Sequence, residues 1–345
     1  KLNHASVDVH IGGDTTFDGN LTIAAGTFDC SNEGGSSRNL TVTGQISIAS
    51  GATLNCNAST ITNGSASSSA SDFDPAGNLT LGSCTFKFFC GSSSNIYLGD
   101  ATLASNTSTL ELIGRQTFSN RDMDFSTSSG NLHNLTVTKT GSVTSGFRLT
   151  HNTTIGGNLT IETGATLDTN TSNKSLTVTG DVDISGTLTC NASAVSFGSL
   201  KCQGSSTLNA TSGTTTITSE NSSGQAIVMN NTMTFNNNDG TFLITTPAAT
   251  NIYFKSDNAL HHLTINHSSA DIVLAGNPDD LKCEGDLTIT AGILRATTSG
   301  ATLEVDGDAS VTGTLNWSGT SGGAVELGSL TISGGTYNAT SGTTT

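Results

Sequence analysis

The stretch Asn39-Leu-Thr-Val-Thr-Gly44, followed at once by Gln45-Ile-Ser-Ile48, decides the fold class. Apolar residues occupy every second position, and Gly, Asn or Ser closes each short run. This period of two predicts β-strands that bury one face. Because the pattern returns in Asn158-Leu-Thr-Ile161, Ser175-Leu-Thr-Val-Thr-Gly180 and Asp286-Leu-Thr-Ile289, we expect an all-β chain.

The composition agrees with this prediction and argues against several classes of protein. Of the 345 residues, 11% are charged, 5% are aromatic and 40 are Gly. Thr, Ser, Asn and Gly are poor helix formers, whereas Thr, Val and Ile favour strands. Lys and Arg total 12 against 27 Asp and Glu, so a nucleic-acid partner is not expected. No apolar run approaches the roughly 20 residues of a membrane helix, so we expect no membrane span.

The spacing of one motif predicts how the strands are arranged. Asn-Leu-Thr occurs at Asn20, Asn39 and Asn78, so its intervals are close to one and two multiples of a short repeat. The turns between neighbouring strands lack the Asn-Gly and Asp-Gly dipeptides of tight hairpins. We therefore expect a parallel β-helix (β-solenoid), right-handed, with about 20 residues and about three short strands per coil. The alternative, a string of immunoglobulin-like sandwiches, would need a unit of about 100 residues and more aromatic residues in its core.

The sequence also contains a repeat that is longer than one coil. The segment Gly19–Gly26 matches Gly157–Gly164, which in turn matches Gly285–Gly292. In the same way, Leu208–Thr216 matches Tyr337–Thr345. The sequence thus predicts a repeat of about 130 residues superposed on the coils. We expect one continuous solenoid rod over residues 1–345, with repeat units at 1–137, 138–265 and, incompletely, 266–345.

Two segments lack the strand pattern, and two alternating segments lie at the two ends of the sequence. Asn63–Asp72 is rich in Ser and predicts a loop, and Asn231–Gly240 predicts a bulge. The alternating segments Leu2–Ile11 and Leu330–Thr345 carry no pattern of a capping helix. Since a solenoid coil is buried only by its neighbours, such ends are adhesive strand edges. We expect them to join copies of this chain head to tail, or to belong to a longer array.

The whole pattern resembles a known class of surface protein. It is carried by Gly19-Asn-Leu-Thr-Ile23, Leu132-His-Asn-Leu-Thr-Val137 and Gly180-Asp-Val-Asp-Ile-Ser-Gly-Thr-Leu188, and it covers nearly the full chain. These segments are similar to the long "beta strand repeat" proteins of bacteria and environmental genomes. The resemblance implies a parallel β-helix outside the cell or on its surface, acting as a stalk, adhesin or filament. It implies no catalytic residues.

The seven cysteines are expected to be core residues. Cys56 aligns with Cys190 and with Trp317 between repeats, so cysteine exchanges with large apolar residues at inward positions. Neither a Cys-x-x-Cys pair nor another zinc-binding pattern is present, and no cofactor is predicted. Two disulfides are candidates. One joins Cys30 and Cys56 in successive coils, and the other joins Cys84 and Cys90 within one local segment.

Carboxylate pairs are candidates for chemistry on the surface. Enzymes that cut polysaccharides use two carboxylates on one face, often with basic residues nearby. The pairs here are scattered along the chain, and we interpret them as solvated turn residues: Asp72 and Asp74, Asp122 and Asp124, Asp181 and Asp183, Asp306 and Asp308. The best local cluster adds Arg115 and Arg121 to Asp122 and Asp124. Weak calcium candidates are Asp181, Asp183, Asp306 and Asp308. Binding or cleavage of polysaccharide is therefore the alternative function.

Many Asn-x-Ser/Thr triplets are present. In Asn-Leu-Thr the Leu faces inward, so Asn and Thr both face outward, where glycans are attached in exported proteins. The alternative is that outward Asn and Thr stack in hydrogen-bonded ladders between coils. The candidate glycosylation sites are Asn20, Asn39, Asn57, Asn106, Asn152, Asn191, Asn209, Asn221 and Asn338. Copies of the chain itself and glycans are the expected partners.

Overall fold

The structure, a computed structural model, describes residues 1–67, 69–70, 72–126, 131–230, 232–254, 258–275, 280–319, 321 and 323–345, without the side chains of 268–270. These residues form strands and no helix. The strands stack in parallel as a β-solenoid of about 14 turns, about 23 residues apart. The predicted fold is thereby confirmed, and the parallel pairing rules out the sandwich alternative.

The chain divides into two compact units, residues 1–176 and 177–345, here called unit 1 and unit 2. This division does not fall at 137 or 265, so the repeat of about 130 residues stays a prediction from the sequence. The strands of unit 1 are β1 (Leu2–His10), β2 (Thr15–Phe17), β3 (Leu21–Asp29), β4 (Leu40–Val42), β5 (Ile46–Ile48), β6 (Thr53–Asn55), β7 (Thr60–Asn63), β8 (Asn78–Thr80), β9 (Thr85–Cys90), β10 (Ile96–Tyr97), β11 (Thr102–Ala104), β12 (Thr109–Gly114), β13 (Phe118–Asp124), β14 (Asn134–Lys139), β15 (Ser145–Leu149), β16 (Thr153–Ile155), β17 (Leu159–Ile161) and β18 (Ala165–Asp168).

Strand β19 begins at the last residue of unit 1, and the remaining strands belong to unit 2. They are β19 (Leu176–Ile184), β20 (Thr187–Thr189), β21 (Val195–Cys202), β22 (Thr207–Asn209), β23 (Thr214–Ile217), β24 (Gln225–Met229), β25 (Thr234–Asn236), β26 (Thr241–Ile244), β27 (Thr250–Tyr253), β28 (His262–Leu274), β29 (Asp280–Cys283), β30 (Leu287–Ala296), β31 (Thr302–Val311), β32 (Thr314–Asn316), β33 (Val325–Ile332) and β34 (Thr336–Asn338).

The core of each unit is built from columns of inward side chains in parallel register. Because strand residues alternate between faces, every inward residue lies beside an inward residue of the next coil. In unit 1 one such column, with one member from each successive coil, is Leu40, Ile61, Phe86, Leu110, Leu135 and Leu159. In unit 2 a column of the same kind runs through Phe242, Leu263, Leu287, Ala309 and Leu330.

The predicted coil of about 20 residues is shorter than the observed one, and the register shows why. Leu21 of the first Asn-Leu-Thr motif lies beside Ile46, whereas Leu40 of the second lies beside Ile61. The two motifs therefore occupy different strands of the coil, and the interval between them is not a coil length. Leu135 and Leu159, from the motifs at Asn134 and Asn158, do lie beside each other, so the interval between those two motifs is one full coil.

Corners between strands vary in length while the strands stay in register. After β6 the chain turns through Cys56–Ser59. One coil earlier the same corner is an excursion from Cys30 to Arg38, closed at its base by the hydrogen bond from Arg38 N to Cys30 O, 2.8 Å. Its tip carries the exposed Gly34 and Gly35.

The predicted loop after β7 is confirmed for its described residues, and the predicted bulge is wrong in part. No strand is assigned between Asn63 and Asn78 in the described residues, although Phe73 is buried there and forms a parallel bridge with Ile96. Residues 68 and 71 of that loop lie outside the described residues. The predicted bulge at 231–240 contains β25, and residue 231 also lies outside the description.

Candidate functional site

The strongest surface feature of each unit is an exposed strand edge. In the described part of the chain, β1 of unit 1 pairs with β3 alone. In unit 2 the second half of β33 is exposed while it pairs with β31. Among the described residues, the exposed large apolar side chains are Val7, Leu330 and Ile332, at 36%, 38% and 47% exposure. All three lie on these edges, so main-chain hydrogen-bonding groups and apolar surface coincide there.

The sequence predicted correctly that both edges contain strands. The predicted strand Leu2–Ile11 matches β1 except for Ile11. The predicted segment Leu330–Thr345 contains the end of β33, all of β34 and Thr344, which forms a parallel bridge with Val325. It did not single out the three exposed apolar residues. Leu330 and Ile332 lie beside the buried Ala309 and Val311 of β31, so they are inward-facing residues that no further described coil covers. Alternation predicts which way a side chain faces, but not whether a neighbouring coil covers it.

A polar cleft of about 150 Å³ in unit 2 contains one predicted carboxylate pair. Outward residues of three strands and the turn before β24 line it: Asp181, Asp183, Ser199, Lys201, Asn221, Ser222, Ser223 and Gln225. Ser199 Oγ donates to Asp181 Oδ1 at 2.7 Å, and Lys201 Nζ lies 3.9 Å from Asp183 Oδ1. Carboxylate, ammonium, amide and hydroxyl groups together can hydrogen-bond a ligand rich in hydroxyl groups.

The pair Asp306 and Asp308 has different partners. Lys282 Nζ lies 2.5 Å from Glu304 Oε1 and 3.5 Å from Asp306 Oδ2. The hydrogen bond with Glu304 raises the pKa of Lys282, and desolvation opposes this rise. Asp308 accepts a hydrogen bond from Ser329 Oγ at 2.5 Å. This pair therefore belongs to a ladder of charged and polar side chains between coils.

The structure does not gather the calcium candidates into one site. Asp181 and Asp183 lie on β19, whereas Asp306 and Asp308 lie on β31. Within the described residues, no group of three or more His, Cys, Asp or Glu side chains is placed to hold a metal ion. Calcium binding at these aspartates stays a prediction.

Of the predicted cluster, Arg121, Asp122 and Asp124 lie together on β13, and the ion-pair partners of the two aspartates come from the next coil. Arg148 donates to Asp122 Oδ1 from Nε at 2.9 Å and from Nη2 at 2.5 Å. His151 Nδ1 lies 3.0 Å from Asp124 Oδ1. Arg115 instead donates from Nη1 to Ser69 Oγ at 2.9 Å. Arg148 and His151 follow the aspartates by about one coil, so knowledge of the coil length would have found them.

Tyr97 joins this cluster from the preceding coil. It lies beside Asp124 in the pairing of β10 with β13. Partial burial, and then the negative charges of Asp72, Asp122 and Asp74, raise the pKa of Tyr97. The phenol therefore stays protonated and can donate a hydrogen bond. The cluster is an ion-paired surface patch with one aromatic ring.

The cysteines face inward, as predicted. All seven are buried free thiols. Burial raises the pKa of Cys30 and of Cys283 to about 12. Strand β9 begins directly after Cys84 and ends at Cys90. At the usual rise of an extended strand, the Cα atoms of these two cysteines are about 20 Å apart. A disulfide needs Cα atoms within about 7 Å, so the predicted Cys84–Cys90 bond is wrong.

Several asparagines of the glycosylation triplets form the ladder that was the alternative interpretation. The Oδ1 atoms of Asn20, Asn39 and Asn152 accept backbone N–H groups of the next coil, from Gln45, Thr60 and Ser175, at 2.9 to 3.0 Å. Asn57, Asn106 and Asn191 occupy corners with positive φ. Asn209 donates to Thr189, Asn221 accepts from Ser223, and Asn338 ends β34. Glycan occupancy stays a prediction for all nine.

Comparisons with known proteins add no assignment. No protein-family model, no curated protein and no solved structure matches this chain. Among the described residues, none forms a helix with the length and apolar character needed to span a membrane.

Proposed function

We propose that this chain is a structural, non-catalytic β-solenoid that forms a stalk or filament by stacking copies end to end. One observation carries the proposal. The exposed large apolar side chains of the described residues, Val7, Leu330 and Ile332, all lie on strand edges at β1 and β33. Single exposed apolar residues are common over the whole surface of soluble monomers. In this chain the large ones lie on strand edges, which favours pairing between edges.

The mechanism follows from the strands themselves. Edge N–H and C=O groups of β1 in one copy pair with the exposed strand of unit 2 in the next copy, and the three apolar side chains are buried between them. Such a contact joins two different surfaces, so it propagates as an open fibre. With 11% charged residues, the lateral surface offers little attraction between neighbouring fibres.

Electron microscopy and light scattering of the purified chain test this function. We expect filaments that lengthen with protein concentration. The variant Leu330→Lys/Ile332→Lys, and separately Val7→Lys, should abolish lengthening, because each places a charge in the buried contact. A chain that stays monomeric at all concentrations contradicts the proposal.

The matched control is Thr214→Lys. Thr214 is an exposed residue of β23, which pairs with both β21 and β26, so it adds the same charge away from the edges. This variant should assemble like the parent chain. Equal loss of assembly in all three variants would show that charge alone, and not the edge contact, is responsible.

The cleft on unit 2 favours a second function, binding of a polysaccharide as an adhesin or by a tailspike-like protein. Its lining of carboxylate, amide, ammonium and hydroxyl groups supports this role. Titration of soluble polysaccharides should give binding that Asp183→Asn or Lys201→Met weakens. Release of reducing sugar that depends on Asp183 would instead support an enzyme.

The resemblance to "beta strand repeat" proteins supports a location outside the cell or on its surface. The parallel solenoid agrees with that family at the level of the fold. Membership of the family, glycosylation and surface exposure are proposals. Labelling of intact source cells with antibodies raised against the chain tests the location, and signal that requires permeabilised cells contradicts it.

A further inference from the structure

Three of the seven thiols lie together in the core of unit 1. Cys30, Cys56 and Cys84 belong to three successive coils and follow the same corner of the solenoid. Each side chain is at most 1% exposed. Cys30 N donates to Asn55 O at 2.9 Å and Cys56 N donates to Thr80 O at 2.8 Å, so this corner is stacked in register between the coils. Cys30 and Cys84 also act electrostatically on Cys56, which agrees with their lying near it.

The corner directs the Cys84 side chain toward the preceding coil. Thr85 N donates to Ser59 O at 3.1 Å and Ser83 N donates to Asn57 O at 2.8 Å, so Cys84 stands directly above Ser59. The Oγ atom of Ser59 reaches one coil back to Cys30 O, at 2.9 Å. The same direction carries the Cys84 sulfur to Cys56, and a hydrogen bond between these two thiols raises the pKa of Cys56.

The geometry is less suitable for the other pairing, Cys30 with Cys56. These residues follow Asp29 and Asn55, which lie beside each other in the pairing of β3 with β6. Side chains in such register stand parallel, about 4.8 Å apart, whereas the Cβ atoms of a disulfide are about 3.8 Å apart. Cys84 approaches Cys56 from a different position of the corner, so its side chain can converge on that of Cys56.

We propose that Cys56 and Cys84 form a disulfide that links two successive coils of unit 1. One S–S bond forms and two S–H bonds break, which releases two protons and two electrons. A small-molecule disulfide such as oxidised glutathione accepts them, and its own S–S bond is reduced to two thiols. Cys30 stays a thiol beside the new bond. This proposal does not depend on the assembly of filaments.

Burial decides when this bond can form. The attacking species in disulfide exchange is the thiolate. In the folded chain the hydrogen bond with Cys84, and then burial, raise the pKa of Cys56 and so disfavour its thiolate. Oxidant in solution also cannot contact sulfur atoms that are 0% and 1% exposed. The bond therefore forms while the chain folds in an oxidising compartment, and afterwards it is protected from reductants.

Refolding in a glutathione redox buffer, followed by mass spectrometry without reduction, tests the proposal. Trypsin cuts after Arg38 and Lys87, and a protease specific for aspartate cuts before residues 29, 72 and 74. Together they leave Cys30, Cys56 and Cys84 on three different peptides, and Cys90 on a fourth. We expect a cross-link between the peptides of Cys56 and Cys84, lighter by two hydrogen atoms than their sum.

Cys84→Ser is the control variant, because the position of Cys84 is occupied in the preceding coil by a serine, Ser59. The oxidised parent chain should melt several degrees above the parent refolded with reductant, since the bond restricts the unfolded chain. Cys84→Ser should melt equally under both conditions, and Cys283→Ser should behave like the parent. A Cys30–Cys56 cross-link, or free thiols throughout after oxidative refolding, overturns the proposal.

Discussion

At the residue scale, asparagine side chains complete the hydrogen bonding between coils. Asn20, Asn39 and Asn152 each lie just before a strand, and each accepts a backbone N–H of the next coil. The short amide side chain supplies the acceptor for that N–H. Asp14, Asp72 and Asp286 do the same for Asn39, Asn95 and Asp308. The frequent Asn before Leu-Thr is thus explained by the need of backbone N–H groups for a hydrogen-bond acceptor.

The first prediction tests this role at Asn20. Asn20→Ala removes the acceptor for Gln45 N and should lower the free energy of unfolding by about 0.5–1.5 kcal/mol. Asn20→Asp keeps an oxygen acceptor and should stay close to the parent. Chemical denaturation measures both. Equal destabilisation by Ala and Asp would show that the amide group matters for another reason.

At the element scale, glycine allows two coils to approach closely. Gly198 of β21 has no Cβ, and a Cβ built there would lie 2.4 Å from the carbonyl oxygens of both Thr179 and Gly180. Those oxygens belong to the neighbouring strand β19. The backbone cannot yield at such a position without separating the strands.

The second prediction concerns this close approach. Gly198→Ala should destabilise unit 2 by about 1–3 kcal/mol, as overpacking of a core does. Gly12→Ala is the control, because a Cβ there meets nothing within 4 Å. Thermal melting compares the two. A neutral Gly198→Ala would contradict the placement of β19 against β21.

The third prediction is a pH dependence between β29 and β31. The hydrogen bond with Glu304 raises the pKa of Lys282 above its ordinary value of 10.5. The resulting stability is complete below pH 10.5 and is lost as pH rises through the higher pKa of the folded state. Both side chains are partly exposed, so the effect is modest and weakens with salt. The parent should melt above Glu304→Gln at neutral pH, and this difference should vanish at strongly alkaline pH.

The elements were predictable from sequence, but their pairing was only partly so. Alternation in Asn39–Ile48 indicated the strands and their inward faces, because side-chain direction in a strand is a local property. The coil length was predicted too short because the same Asn-Leu-Thr motif serves two different strands, at Leu21 and Leu40. Contacts such as Arg148 with Asp122 join residues about one coil apart, so a coil length that was predicted too short did not place them.

At the scale of the whole molecule, stability is a sum of contacts between successive coils. In each unit most coils are covered on both flanks, whereas β1 has one partner among the described strands and β33 is half exposed. Opening a coil at an exposed edge breaks one interface, and opening an inner coil breaks two.

The fourth prediction follows from this difference. Amide hydrogens of β1 should exchange faster than those of β9 and β12 in unit 1, and those of β33 and β34 faster than those of β26 in unit 2. Hydrogen exchange read by mass spectrometry measures these segments. Dilution of filaments should reverse any protection of β1, because stacking covers that edge. Uniform exchange along each unit would contradict additive coil interfaces.

The corner excursion from Cys30 to Arg38 has a practical consequence. Its base is closed by main-chain hydrogen bonds, and its glycine tip is exposed. The length of the excursion therefore does not change the positions of the strands on either side. A foreign peptide inserted between Gly34 and Gly35 should therefore be displayed without disturbing the fold. If copies stack as proposed, the same graft would recur at regular intervals along a fibre, which would make this chain a scaffold for ordered epitope arrays.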